Sequence, residues 1–161
     1  MYPNPVFLMG DEHCTLLNQT PGCLTEGALF YPYIAAQQCN ALTIINQMAS
    51  WVTPLTMPWF VFSVGTWDGH YDYFGHYNQI RSWVGNTYRG TRKSPKCIWL
   101  APVNNQSSAF NVIRCARGNR DQFLYVNNGH FPIAADGIHL TNPGYVALGQ
   151  YLRYTTRCWT L

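Results

Sequence analysis

An aspartate and a histidine three residues apart form the part of this sequence best suited to chemistry. Asp136 and His139 lie in residues 135–145, which read ADGIHLTNPGY. At this spacing the Asp136 carboxylate can accept the Nδ1–H of His139, which fixes the ring tautomer and leaves Nε2 free to take a proton. The same spacing also arises by chance in loops that only precede a helix. Asp136 and His139 are therefore candidates for an acid–base pair.

The elements that must position this pair follow from the apolar pattern of the chain. Continuous apolar runs of strand length predict buried strands at residues 6–9, 59–64 and 97–102, and a further strand at residues 123–126. Apolar residues at helical spacing predict helices at residues 41–52, 73–84, 110–117 and 143–154. We also expect a loop at residues 15–27 and a helix at residues 28–38.

The same spacing predicts which helix residues face the core. In the helix at residues 41–52 the predicted inward residues are Leu42, Ile45, Met48 and Val52. In the next helix they are Tyr73, Tyr77, Ile80 and Val84. The last helix is expected to bury Val146, Leu148 and Leu152. Either Thr141 or Asn142 is expected to cap its first turn, which Pro143 also suits.

The order of these elements predicts the fold. Strands alternate with helices, and no two predicted strands are joined by a tight hairpin turn. This order predicts an α/β three-layer sandwich with a central parallel sheet, in a single domain of residues 1–161. Ligands of such sheets bind at the carboxyl ends of the strands. Three polar clusters follow predicted strands and are expected to share one cleft: Asp11, Glu12 and His13; Trp67, Asp68 and His70; Asp136 and His139.

Composition limits the classes of partner. Charged residues make up 11% of the chain and aromatic residues 16%, with a net charge of +3. Only residues 89–96 are locally basic, so nucleic-acid binding is not expected. No apolar run approaches the ~18 residues of a membrane helix, so membrane insertion is not expected. The acidic, histidine and cysteine residues form no recognised ligand motif, so we expect no metal and no cofactor.

Cysteines and glycosylation sequons favour an oxidising compartment. The six cysteines form no C-x-x-C pair, and their even number suits up to three disulfides. Asn18 and Asn105 each begin a sequon, which is typical of secreted proteins. We therefore expect an extracellular or surface-displayed protein. No signal-peptide pattern precedes the first predicted strand, so this location implies a leader that was removed.

Three blocks of the sequence together resemble the SGNH/GDSL hydrolase family, which contains esterases of acylated lipids and sugars. The blocks are Gly10-Asp11 after the first strand, Gly65-x-x-Asp68 after the next predicted strand, and Asp136 to Tyr145. Their order and spacing cover nearly the whole chain. The resemblance implies the fold described above, with Asp136 and His139 as the acid and base of a catalytic triad.

The sequence departs from the family pattern at the attacking group and at the oxyanion donors. Glu12 stands at the position of the nucleophilic serine, and Trp67 stands at the position of an asparagine that helps to form the oxyanion hole. The glycine of a further block is absent near residues 40–41. Glu12 has no hydroxyl proton to give, and it places negative charge where the oxyanion would form. We expect Glu12 to pair with His139, which Asp136 flanks, and to hold the ring as imidazolium.

These departures predict a domain that is inactive as a serine hydrolase and serves as a binding or structural module. Its partner is expected to be a carbohydrate, or a protein that covers the aromatic surface; self-assembly is a further possibility. Aromatic faces beside polar groups suit sugar rings. The expected binding residues are Asp11, Gly65, Trp67, Asp68, His70 and Tyr71.

The alternative is an active hydrolase of acylated glycans or lipids with a rewired site. Cys14 lies two residues beyond the nucleophile position and could attack with His139 as base, although a disulfide is its expected fate. Glu12 could instead act as nucleophile or acid–base group with a neighbouring carboxylate. Both routes centre on Glu12, Cys14, Asp136 and His139.

Overall fold

The chain folds into alternating strands and helices, as the sequence predicts. The computed structural model describes residues 6–19, 30–35, 40–48, 55–56, 58–68, 74–91 and 93–156. In chain order the elements are β1 Val6–Gly10, α1 Glu12–Gln19, β2 Phe30–Ala35, α2 Ala41–Met48, β3 Trp59–Ser63, α3 Phe74–Thr87, β4 Lys96–Ala101, α4 Gln106–Gly118, β5 Gln122–Tyr125 and α5 Asn142–Thr156.

The strands form one parallel sheet in the order β2-β1-β3-β4-β5. Strands β1 and β3 are buried along their whole length, because their sequences VFLMG and WFVFS offer apolar side chains to both faces of the sheet. This arrangement confirms the predicted α/β three-layer sandwich.

Helices cover both faces of the sheet. On one face, Phe7 and Phe62 pack in a cluster with Ile44 of α2, Tyr77 of α3 and Val112 of α4. On the other face, Leu8 and Val61 pack with Leu17 of α1 and with Leu148 and Leu152 of α5. The sheet therefore lies between two separate cores. Because all its strands are parallel, their carboxyl ends lie at the same edge.

Most predicted inward residues are buried, with three exceptions among those described. Tyr77, Ile80, Val84, Leu148 and Leu152 are buried. Leu42 is 47% exposed, because α2 turns Ala41, Ile44 and Met48 to the core instead. Ile45 and Val146 are only partly buried. Val52 and Tyr73 lie outside the described residues.

The predictions for residues 15–27 and 28–38 were wrong where the structure describes them. Helix α1 begins at Glu12 and runs to Gln19. The Asp11 carboxylate caps its first turn, and Cys14 and Leu17 supply its apolar face. Residues Phe30–Ala35 form the edge strand β2 rather than a helix. Pro32 is tolerated there because an edge strand leaves one side of its backbone without a ladder partner.

The cysteines do not support three disulfides. Cys97 and Cys115 are buried free thiols, and no disulfide joins Cys14, Cys97 and Cys115 to one another. Burial raises the pKa of the Cys115 thiol to about 12 and raises that of Cys97 as well. Cys23, Cys39 and Cys158 lie outside the described residues, so at most two disulfides remain compatible with the fold. Within the described part of the chain, no helix is long and apolar enough to cross a membrane.

Candidate active site

The junction between β1 and α1 is set by a close approach that only glycine permits. Gly10 has a φ of +144°, and a Cβ at this residue would lie 1.9 Å from the carbonyl oxygen of Ser63. The next backbone N–H, of Asp11, donates to that same carbonyl at 3.0 Å. The end of β1 is thereby held against the end of β3, and α1 starts at the edge of the sheet with Glu12 as its first residue.

Glu12 lies at the centre of the site and is bonded through both carboxylate oxygens. Its Oε1 accepts a hydrogen bond from the indole Nε1–H of Trp67. Its Oε2 lies 3.2 Å from Nε2 of His139. The position at the start of α1 also favours a negative charge, because helix N-termini carry partial positive charge. The residue is 8% exposed, so these contacts are largely shielded from water.

Asp136 orients His139 from the opposite side of the ring. Its Oδ2 lies 2.6 Å from Nδ1 of His139. Its Oδ1 accepts the backbone N–H groups of Ile138 at 2.9 Å and of His139 at 3.0 Å. The turn needs Gly137 with a φ of +71°. These hydrogen bonds, the His139 backbone bond first, hold the pKa of Asp136 well below its usual range.

The two carboxylates stabilise the charged form of His139. Partial burial lowers the pKa of the imidazole, but the hydrogen bonds to Asp136 and Glu12 outweigh burial and leave the pKa above its ordinary value. The expected pairing of Glu12 with His139 is thus present in the geometry. An imidazolium bonded on both nitrogens has no lone pair with which to accept a proton.

Asp68 ties together the elements around the site. Its Oδ1 accepts the backbone N–H of Ala41 at 2.9 Å, and its Oδ2 accepts the hydroxyl of Tyr77. Its carbonyl oxygen accepts the side-chain amide of Asn105 at 2.8 Å. Asp68 is 5% exposed and joins α2 and α3 to the residue that caps α4. The N–H of Ala41, close to where the family pattern would place a glycine donor, is therefore engaged within the protein.

The predicted clusters converge only in part within the described residues. Glu12, Trp67, Asp136 and His139 meet at the carboxyl edge of the sheet. Asp11, Gly65 and Asp68 are buried beneath them. Their predicted role as binding residues has not been tested. His70 and Tyr71 lie outside the described residues. Trp67 is therefore the one aromatic residue among the expected binding residues that the structure describes.

Two buried titratable residues, His13 and Asp11, lie beneath Glu12. Nδ1 of His13 lies 2.9 Å from the hydroxyl of Tyr145, and the His13 ring lies 5.3 Å from that of His139. Burial is the main cause that lowers the pKa of His13 to about 4, so the ring is neutral at pH 7. Burial also raises the pKa of Asp11 to about 7, against its hydrogen bonds from His13 and Ser63.

Sequence reasoning missed the role of Tyr145. It lies within the same stretch as Asp136 and His139, and that position in the motif was the available signal. Its contact with His13 spans 132 positions of the chain and depends on the docking of α5 against α1.

The structure also bears on the alternative sites. Cys14 is fully buried on the inner face of α1, among Leu17, Leu148 and other apolar residues, rather than in the cleft. The described residues contain no group of three histidine, cysteine or acidic side chains arranged to hold a metal ion. The polar groups at the cleft are therefore the Glu12 carboxylate, the His139 ring and the Trp67 indole N–H, which are bonded to one another.

The architecture and the position of this site together define the fold of the SGNH/GDSL hydrolases. A GDSL-like lipase from Bacteroides thetaiotaomicron has the same fold, with a TM-score of 0.67 and 16% identity over 96% of this chain and 88% of that one. The native aryl esterase of M. smegmatis gives 0.68 at 12% identity, over 98% and 100% of the two chains.

An acetylxylan esterase from Geobacillus stearothermophilus is also similar. Its TM-score is 0.63 at 15% identity, over 95% of this chain and 94% of that one. At such identities the likeness establishes the fold alone. No family model matches the sequence, and no curated protein matches it.

Proposed function

We propose that this chain is an SGNH-fold domain that binds acylated carbohydrate at the cleft of Glu12 and His139 and does not carry out serine-esterase chemistry. One observation carries the proposal: the Glu12 carboxylate takes the hydrogen-bond donors of both Trp67 and His139. A serine at this position would pass its proton to a neutral imidazole, whereas the carboxylate keeps His139 charged.

The same carboxylate opposes acyl transfer by its charge. Acyl transfer needs donors aimed at a developing oxyanion, and the loss of one such donor costs about 10²–10³ in rate. In this cleft the Trp67 indole N–H donates its hydrogen bond to Glu12, and the Ala41 backbone N–H donates its hydrogen bond to Asp68. An oxyanion would therefore meet negative charge and few available donors.

Carbohydrate is the ligand class that the surroundings favour. Trp67 is half-buried at the cleft and offers part of an aromatic ring, to which the C–H face of a sugar can stack. One protein of the same fold is named as an acetylxylan esterase, which supports an acetylated glycan as the probe. An extracellular or surface location, a protein partner and self-assembly remain predictions from the sequence.

A second candidate function is ester hydrolysis with Glu12 as nucleophile. Its support is the Asp136–His139 pair at 2.6 Å and a fold shared with named esterases, which favours an esterase at the level of the fold. The Glu12 carboxylate would attack the acyl carbon to form an anhydride, and the His139 imidazolium would protonate the departing alkoxide. Water would then attack the acyl carbon of the anhydride and pass a proton to the neutral His139, which releases the carboxylic acid and restores the Glu12 carboxylate and the imidazolium.

Calorimetric titration with acetylated xylo-oligosaccharides, and with the same oligosaccharides after deacetylation, tests the binding proposal. The wild type should bind the acetylated form more tightly. Trp67→Ala should weaken that binding at least tenfold, whereas the control Tyr154→Ala, which removes an exposed aromatic ring on α5, should not. Absence of binding, or equal binding of both sugar forms, would contradict the proposal.

Mass spectrometry of the same mixtures separates the two candidate functions. The binding proposal predicts intact sugar esters and an unmodified protein mass after prolonged incubation. Release of acetate, together with conversion of Glu12 to its hydroxamate when hydroxylamine attacks the anhydride, would establish the second candidate instead.

A further inference from the structure

A groove on the outer surface of α2 and α3 is separate from the cleft of Glu12 and His139. It encloses about 430 Å³, within the range of about 300–1,000 Å³ that is usual for small-ligand sites. Its described lining residues come from two helices. Ile45 and Met48 belong to α2, and the others lie in α3 between residues 75 and 86. The groove and the cleft therefore have no described lining residue in common.

One face of α3 forms the longer side of this groove. The residues on that face are Gly75, Asn78, Gln79, Ser82, Trp83 and Asn86, whose spacing of three and four residues follows the helical repeat. The core takes another face of the same helix, with Tyr77, Ile80 and Val84. Nothing lies within 4 Å of a Cβ added at Gly75, so the groove is open at the start of α3.

The groove presents hydrogen-bonding groups that the protein itself does not use. The side chains of Gln79, Ser82 and Asn86 are exposed and make no hydrogen bond within the described part of the chain. The indole N–H of Trp83 makes none there either. Amide and hydroxyl groups both donate and accept hydrogen bonds. Because no charged residue is among the described lining residues, the groove suits a neutral ligand that carries hydroxyl groups.

Trp83 supplies an aromatic surface that the core holds in place. Its ring packs against that of Phe7 in β1, with 6.3 Å between the ring centroids. The residue is only partly buried at the edge of the core cluster, and it also lines the groove. A side chain that is already ordered loses little freedom when a ligand stacks on it. Sugar rings combine an apolar C–H face with hydroxyl groups, which match an indole ring between amide side chains.

The groove begins at the same edge of the sheet as the cleft. Helices α2 and α3 follow the parallel strands β2 and β3, so both helices start at the carboxyl edge. There Asp68 accepts the backbone N–H of Ala41 and the hydroxyl of Tyr77, which ties the two helices together. The groove therefore extends away from the edge that carries the cleft.

We propose that this groove binds a neutral oligosaccharide, with the Trp83 ring against the face of a sugar unit. The side chains of Gln79, Ser82 and Asn86 form hydrogen bonds with its hydroxyl groups. The inference goes beyond the function proposed for the cleft, because binding here involves no acyl group. Equal binding of acetylated and unacetylated sugar would contradict the proposed function and leave this inference standing.

Nuclear magnetic resonance of the ¹⁵N-labelled wild type tests the groove with unacetylated xylo-, cello- and manno-oligosaccharides. At least one of these neutral sugars should shift the indole N–H signal of Trp83 until it saturates. An anionic oligogalacturonide should bind more weakly. A Trp83 signal that none of the three neutral sugars shifts, or a shift of the Trp67 signal alone, would overturn the proposal. A Trp83 signal that changes only with protein concentration would also overturn it, because a second copy would then cover the groove.

Substitutions on α3 assign the binding to named side chains. Trp83→Ala should weaken it about tenfold or more. Because that change also removes a contact with Phe7, Gln79→Ala gives a second readout. It should weaken binding roughly two- to tenfold, the equivalent of one hydrogen bond, without loss of a core contact. Gln150→Ala is the matched control, since it removes an exposed glutamine from α5 on the opposite face of the sheet. An affinity that Gln79→Ala leaves unchanged, or that Gln150→Ala lowers equally, would overturn the assignment.

Discussion

At the scale of single residues, one side chain determines the chemistry of the cleft. Glu12 bonds to Trp67 and to His139, so the imidazole is held between two carboxylates at 2.6 and 3.2 Å. The Asp–His pair keeps the arrangement that orients a general base. The added carboxylate changes its protonation state, and with it the reaction that the pair can support.

The first prediction concerns the titration of His139. Its pKa should be higher than that of an ordinary histidine in the wild type and should fall in Glu12→Gln, which keeps the shape and removes the charge. Asp121→Asn is a matched control, because that buried acid pairs with Arg81 and Trp99 instead. Histidine C–H chemical shifts followed against pH give the value. A neutral His139 at pH 6 in the wild type would contradict the ion-pair description.

At the scale of elements, the ends of β1 and β3 set the geometry of the site. The approach at Gly10 leaves no room for a side chain, and its φ of +144° disfavours every residue except glycine. Asp68 then fixes α2, α3 and the cap of α4 relative to that edge. The cleft is thus built on strand ends and helix starts rather than on one long loop.

The second prediction compares two glycines. Gly10→Ala should lower the free energy of unfolding by at least about 1–3 kcal/mol, because the new methyl group meets the Ser63 carbonyl in a strained backbone region. Gly85→Ala, in the last turn of α3 with nothing within 4 Å of its added Cβ, should raise it by about 0.4–1 kcal/mol. Chemical denaturation measures both. Equal stabilities of the two variants would refute the argument.

The third prediction concerns the Asn105 sequon. The Asn105 side chain caps α4 by accepting the Ser108 N–H at 3.1 Å, and its amide nitrogen donates to the Asp68 carbonyl. A glycan on that nitrogen would disrupt the second bond, so Asn105 should stay unmodified when the protein is produced in a secretory eukaryotic host. Peptide mass spectrometry checks this occupancy. A fully occupied Asn105 in a folded protein would show that the cap forms differently.

At the scale of the whole molecule, two buried groups beneath the site make stability depend on pH in opposite directions. Asp11 ionises near pH 7 in the folded protein instead of near 3.8, so its burial destabilises the fold progressively as pH rises from about 4 to 7. His13 is protonated near pH 4 instead of near 6.5, so its burial destabilises the fold as pH falls through that range. Between pH 4 and 6.5 the two effects offset each other.

The fourth prediction follows from this balance. Asp11→Asn removes one of the two effects, so its unfolding free energy relative to the wild type should rise with pH between 4 and 7. The slope should not exceed about 1.4 kcal/mol per pH unit. Urea denaturation of both proteins at several pH values gives the difference. A difference that is independent of pH would mean that Asp11 is ionised throughout.

The sequence was sufficient for the fold wherever local pattern and burial agree. The runs at β1, β3 and β4 are apolar on every residue that a buried parallel strand needs, and the spacing of Tyr77, Ile80 and Val84 can only be helical. The helix predicted at residues 28–38 was wrong because strand β2 contains a proline. A proline fits a strand at the edge of a sheet, and the sequence does not show that this strand lies there.

Only the site residues that lie within the sequence motifs could be predicted. Asp136, His139 and Glu12 were placed by spacing and family resemblance, and their contact follows from the parallel topology. The bond between His13 and Tyr145 and the three roles of Asp68 depend on how distant helices dock, which no local pattern encodes.

The most direct test of the central claim is the turnover of p-nitrophenyl acetate by the wild type, Glu12→Ser and the double variant Glu12→Ser/His139→Ala. The account predicts no turnover beyond background by the wild type, because the carboxylate blocks the imidazole. It predicts that Glu12→Ser gains activity and that the double variant loses it again. Wild-type turnover that disappears in the single variant His139→Ala would contradict the account and favour an active esterase with a rewired site.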